Sequence, residues 1–122
     1  MVACLDQPNA GEVAKFIGSK LGESAVPELV EASKHKRYWL RWNSIRLLQR
    51  LGELDEVDMG YAYILDLSYA GSCSTRKRAA KKLAELKDER ALKHLHEAKK
   101  RNFLENLCMG DTLEESIREI KK

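Results

Sequence analysis

Along residues 38–51 the positions Leu40, Ser44, Leu47, Leu48 and Leu51 fall at i, i+4, i+7, i+8 and i+11, the spacing of one face of an α-helix. Comparable stripes predict helices near 10–21, 25–34, 55–69, 75–86, 89–100 and 112–121. Apolar and polar residues do not alternate over any useful length. The only β-rich run, Tyr61 to Tyr69, has flanks that favour a buried helix. Punctuation agrees with an all-α chain. Gly52 can adopt the left-handed conformation that a helix end often needs. Ser72 or Ser74, and Asp88, can cap helix starts, and Pro27 sits early in a helix where its missing N–H costs little. Near the carboxy terminus Phe103, Leu104, Leu107, Cys108 and Met109 form an apolar run ended by Gly110. Asp111 or Thr112 can then cap a final helix, with Thr112 and Glu115 matching a capping box and Leu113, Ile117 and Ile120 lining one side.

The pattern is periodic on a longer scale. Leu21-Gly22-Glu23-Ser24-Ala25-Val26-Pro27-Glu28-Leu29, Leu51-Gly52-Glu53-Leu54-Asp55-Glu56-Val57 and Leu86-Lys87-Asp88-Glu89-Arg90-Ala91-Leu92 each read as a helix end, a short polar turn and a new helix, at spacings of 30 and 35. With the offset of 35, Arg41 falls on Arg76, Ser44-Ile45 on Ala79-Ala80, Leu48 on Leu83, Leu51 on Leu86 and Val57 on Leu92. Self-similarity at such a period is the mark of stacked helical repeats.

These phrases resemble HEAT repeats, and more narrowly the short HEAT-like type first noted in phycobilin lyases. The resemblance covers roughly residues 10–100; Lys87 stands where the type usually has glycine, and 55–71 is longer than its helices prefer. It implies an α-α superhelix of about three helical pairs, with repeats near 10–34, 38–69 and 75–100 and a cap over 102–122, in one domain spanning 1–122. It says little about function, because such repeats serve many roles.

Charge then narrows the picture. The formal net charge is only +3, yet residues 34–50 hold 6 basic and no acidic side chains and residues 71–101 hold 11 basic against 4 acidic. Both basic segments coincide with second helices of the resemblance, which in HEAT solenoids line the concave surface. At about 100° per residue, Trp39, Trp42, Asn43, Arg46 and Arg50 are expected opposite the apolar stripe, and Trp42, Asn43 and Arg46 correspond to Lys77, Arg78 and Lys81. Exposed tryptophan beside arginine suits an acidic protein partner, or a stacking surface for nucleic acid. The alternatives are plain solvation for the lysines and burial under the amino-terminal helices for the tryptophans. Arg41 and Arg76 lie near the apolar boundary and read as structural, bonding turn carboxylates or carbonyls. The acidic group Glu53, Asp55, Glu56 and Asp58 is accounted for by a helix start.

Candidate chemistry is sparse. His94 and His96 are two apart and diverge on a helix, so they do not share a metal, and no metal site or cofactor is expected. Cys73, near a helix start with Arg76 one turn on, is the best candidate for a reactive thiol, although a small turn residue is the simpler account. No Cys-x-x-Cys, phosphate loop or nucleophile elbow occurs, so no catalytic residue is assigned and the chain is expected not to be an enzyme. Three widely spaced cysteines, Cys4, Cys73 and Cys108, suit free thiols in a reducing compartment. With 122 residues, 43% of them hydrophobic, and neither a membrane span nor a signal peptide in view, a folded, cytoplasmic domain is expected. The leading expectation is a non-enzymatic interaction or scaffold module that binds an acidic partner through its basic, Trp-containing helix face, with a regulatory region of a larger protein as one setting for it. Alternatives are nucleic-acid binding like that of HEAT-type DNA glycosylases and, from the repeat type alone, a phycobilin lyase-like activity.

Overall fold

The computed structural model describes residues 25–101 and 106–122, and every regular element among them is helical. The helix expected near 10–21 and the residues Phe103 and Leu104 lie outside the described residues. The chain divides into two compact units, one ending at Asp58 and the other running from Met59 to Lys122.

In the first unit α1 (Val26–Ala32) packs on α2 (Tyr38–Arg50), and a 3-10 turn follows at Leu54–Glu56. Pro27 occupies the first turn of α1, as its fixed φ favours. Leu29 of α1 meets Leu47 and Leu48 of α2 in a small core, flanked by the partly buried Leu40 and Leu51. Each fully buried leucine contributes about 1.5–3 kcal/mol relative to exposure. Ser44 lies in the same stripe, and its hydroxyl donates to the Leu40 carbonyl at 2.6 Å, so a polar side chain is buried with its hydrogen bond made. The helix expected from residue 55 begins later, because Val57 turns extended (φ −94°, ψ 128°) after the 3-10 turn and so separates it from the helix that follows.

The second unit holds α3 (Met59–Tyr69), α4 (Cys73–Leu86), α5 (Ala91–Lys99) and α6 (Thr112–Lys121). α3 packs on α4 and α5 on α6, while α3 also meets α5 and α4 also meets α6. Alternate helices therefore stack on one another, the arrangement that lets a solenoid share one continuous core between neighbouring pairs. Ala79, Ala80 and Ala91 sit at full burial in that core beside Leu83 and Leu95. Their small side chains let helices approach closely. The expected terminal cap covers α4 through Leu113, Ile117 and Ile120, and it is also the second member of the pair begun by α5. Asp111 takes the cap position of α6 without a side-chain hydrogen bond, and Thr112 is buried as the first helical residue, so the capping box is not formed.

The repeat offset is visible in backbone geometry. α2 ends with Gly52 N–H donating to Gln49 O and Glu53 N–H to Leu48 O, and α4 ends with Lys87 N–H donating to Ala84 O and Asp88 N–H to Leu83 O. This pair of bonds is a Schellman closure, which requires a left-handed residue. Gly52 supplies it at φ +74°; Lys87 adopts it at φ +51° despite its side chain. Beyond that turn Asp88 accepts from the Arg90 N–H at 3.1 Å and from the Arg90 guanidinium, which orders the approach to α5. A Cβ added at Gly60 would overlap the Asp88 carboxylate, so the first turn of α3 carries glycine where the turn before α5 presses on it.

Three stability outcomes are expected. Lys87→Gly raises the unfolding free energy by about 0.5–1 kcal/mol by removing left-handed strain, whereas Gly52→Ala lowers it by about 1 kcal/mol. Urea denaturation with an unchanged slope measures both, and a destabilised Lys87→Gly protein would contradict the account. Gly60→Ala costs about 1–2 kcal/mol through the displaced Asp88 carboxylate, and adding Asp88→Ala costs less than the two separate losses combined, a non-additivity read from the same denaturation curves.

Candidate functional site

Helices α2 and α4, each the second member of a packed pair although first in the repeats expected at 38–69 and 75–100, carry most of the residues singled out from sequence. At their first turns Arg41 and Arg76 are 0% and 2% exposed. A buried guanidinium is stable only when hydrogen-bonded. Arg41 Nη1 donates to the His35 carbonyl at 2.8 Å, in the turn between α1 and α2, and Arg76 Nη2 donates to Asn106 Oδ1 at 3.0 Å. Both are structural, as their place at the apolar boundary suggested.

On α2 the predicted outward group is only partly outward. Arg46 and Arg50 are exposed, but Trp39 and Trp42 are half-buried and Asn43 is buried. Asn43 stands one turn before the fully buried Leu47, so i,i+4 geometry places it on the same side of the helix. Its amide oxygen accepts from Arg46 Nη1 at 3.0 Å, which leaves that arginine lying back along the helix surface. The tryptophans are drawn inward by Tyr38, an aromatic residue that the sequence analysis overlooked. Its ring meets Trp39 edge-on at 5.0 Å and Trp42 at 6.5 Å between centroids, and the Arg41 guanidinium lies 5.9 Å from it. The signal for this cluster was the run Tyr38-Trp39 with Trp42 at i+4 from Tyr38.

On α4, Arg78 and Lys81 are exposed and Lys77 is half-buried. Lys82 is also exposed, paired with Glu85 at 3.4 Å. The register equivalence holds for Arg46 and Lys81, both exposed, and for Trp42 and Lys77, both half-buried; it fails for Asn43, buried where Arg78 is exposed. The α2 set belongs to the first unit and the α4 set to the second.

The expectation of free thiols is corrected for two of the three cysteines. Cys73 and Cys108 form a disulfide with a Cα–Cα distance of 6.0 Å. Sequence separation hid this pairing, because residues 35 positions apart become adjacent only when the chain returns along α5. Cys73 is therefore not a standing free nucleophile, and these two residues no longer argue for a reducing compartment. Cys4 lies outside the described residues. The turn bearing Cys108 is also held by Asn106, whose Nδ2 donates to Ala98 O at 3.0 Å and Arg101 O at 3.3 Å. Met109 is buried beside it and Gly110 takes φ +51°.

Other polar features are local. His94 is half-buried and His96 exposed, on different sides of α5. Arg101 Nη2 donates to Ser68 O at 2.5 Å and, with Tyr69, His94 and Glu97, edges a shallow groove between α3 and α5. Asp66 is a buried carboxylate within α3, legible beforehand only as a lone acid in an apolar run. The exposed Glu119 carboxyl is held below its usual range by the hydrogen bond and charge of Lys122, with a smaller effect of Lys87. Among the described residues no three His, Cys, Asp or Glu side chains are placed to hold a metal ion, and no helix is long and apolar enough to cross a membrane.

No curated protein and no solved structure matches the chain. Residues 75–101 match the family model described as PBS lyase HEAT-like repeat. The match covers nearly all of α4, the left-handed turn at Lys87 and the whole of α5, and with the all-helical, in-register packing it supports a HEAT-like repeat protein.

Proposed function

We propose that the protein is a non-enzymatic protein-interaction module whose second helices each offer cations to an acidic partner segment. HEAT-like repeats generally serve as interaction or scaffold modules, which is the coarse reading the family match supports. The finer reading rests on one contrast. In each second helix the arginine of the first turn is buried and used internally, whereas the cation at the register-equivalent outward position, Arg46 or Lys81, is exposed. Exposed cations of this kind set partner choice and association rate through complementary charge. Half-buried Trp39 and Trp42 add apolar area that an interface can cover without first ordering a mobile side chain.

The nucleic-acid reading draws on the same residues. Half-burial of Trp39 and Trp42 favours the protein partner, because stacking of bases needs an open ring face.

An Asp/Glu-rich peptide is the suitable probe. Arg46→Glu and, separately, the double substitution Lys77→Glu with Lys81→Glu should each weaken its binding about tenfold or more, with helical circular dichroism unchanged. Undiminished binding in both variants removes these faces from the proposal. Adding Trp39→Ala to Arg46→Glu should abolish the binding contributed by α2. An oligonucleotide titrated across a salt series separates the alternatives. Tight binding that falls steeply with salt would assign the cations to phosphate, and absence of binding even at low salt leaves the protein partner.

A further inference from the structure

We propose that Cys73–Cys108 is a reversible thiol–disulfide exchange site that fastens and releases the segment Asn106–Asp111. This inference is independent of the proposed partner surface. Three observations carry it together. First, the bond is reachable: Cys108 lies on an exposed turn and Cys73 is only half-buried. Second, Cys73 is the first residue of the 14-residue α4, capped by Ser72, with Arg76 and Lys77 within the next turn. A sulfur released there sits at the positive end of the helix dipole, where a thiolate is favoured as a leaving group. Third, the two cysteines stay neighbours when the bond opens. Asn106, two residues from Cys108, accepts from Arg76, three residues from Cys73, and Met109 remains an apolar anchor in the core.

The exchange balances with a dithiol reductant. Its thiolate attacks Cys108 Sγ, the protein S–S bond breaks, and Cys73 leaves as a thiolate. The reductant's second thiol, as its thiolate, then attacks its own sulfur in the mixed disulfide and expels Cys108, which takes up a proton. Two electrons have passed to the protein, and the reductant is left as a disulfide. Oxidised reductant of the same class reverses the sequence.

What the reaction changes is local. The oxidised bond holds the turn whose backbone bonds run from Met109 N–H to Asn106 O and from Thr112 N–H to Met109 O, directly before α6. Without it, among the described residues, Asn106 and Met109 still hold that turn. The reduced form therefore loosens the backbone of the turn at Cys108, while Met109, Leu113, Ile117 and Ile120 keep their places in the core.

The test uses the full chain carrying Cys4→Ser, so that only the pair is read. Equilibration in mixtures of reduced and oxidised dithiothreitol, a dithiol, with alkylation and mass measurement, should show complete and reversible opening. Amide exchange at Met109 and Thr112 should rise about tenfold or more on reduction, while α3, α4 and α5 keep their protection and the helical circular dichroism is unchanged. Asn106→Ala should slow reoxidation several-fold without preventing the oxidised form. A bond that persists in fully reduced dithiothreitol, exchange that is indifferent to reduction, or loss of helical signal on reduction would each overturn the proposal; the last two would make the bond inert or a global staple.

Discussion

A buried guanidinium must be surrounded by acceptors, and this requirement organises both units of the protein. Arg41 and Arg76 occupy equivalent positions, and neither can enter the apolar interior unless some other segment brings oxygen to it. In the first unit the turn between α1 and α2 does so through the His35 carbonyl, which ties the placement of α1 to the start of α2. In the second unit Asn106 reaches Arg76 from a segment thirty residues away, and so seats the connection between α5 and α6. Deleting one such arginine would remove packing and strand its acceptors together, which is why a buried ion or polar pair is more damaging to break than valuable to possess.

The same constraint separates buried charge from exposed charge. Cations that satisfy the interior are consumed there, and those one to two turns further on are left in water. On α2 the division is sharpened by Asn43 and Tyr38. The first draws Arg46 back along the helix, and the second turns the tryptophans from open platforms into partly covered, rigid apolar edges. The proposed protein partner rests on such edges beside exposed cations.

The segment between α5 and α6 concentrates several kinds of restraint in five residues. Asn106 spans Arg76 and two carbonyls, Cys108 is bonded to Cys73, Met109 enters the core, and Gly110 permits the reversal into α6. Such concentration makes it the one described connection whose order depends on both covalent and non-covalent contacts. The helices on either side of it bury their apolar faces mainly against each other, which is why the proposed loosening of this turn leaves them packed.

By itself the sequence determined the helical class, the periodicity and a structural reading of Arg41 and Arg76. These depend on local spacing and on chemistry that repeats at an offset of 35; that Lys87, standing where the repeat type usually has glycine, takes the left-handed conformation itself was decided by the structure. The outward placement of Arg46, Arg50, Arg78 and Lys81 was legible for the same reason, because helix phase alone sets it. Tertiary structure alone decided the rest. Asn43 is buried because α2 presents a wider covered side than its stripe of apolar residues marks, with Leu47 one turn on from it. Trp39 and Trp42 turn inward because an aromatic neighbour was available, and Cys73 meets Cys108 only because α5 returns the chain across the start of α4. Contacts between residues far apart in the chain are set by how helices pack, and a pattern of single residues does not encode which distant partner each will meet.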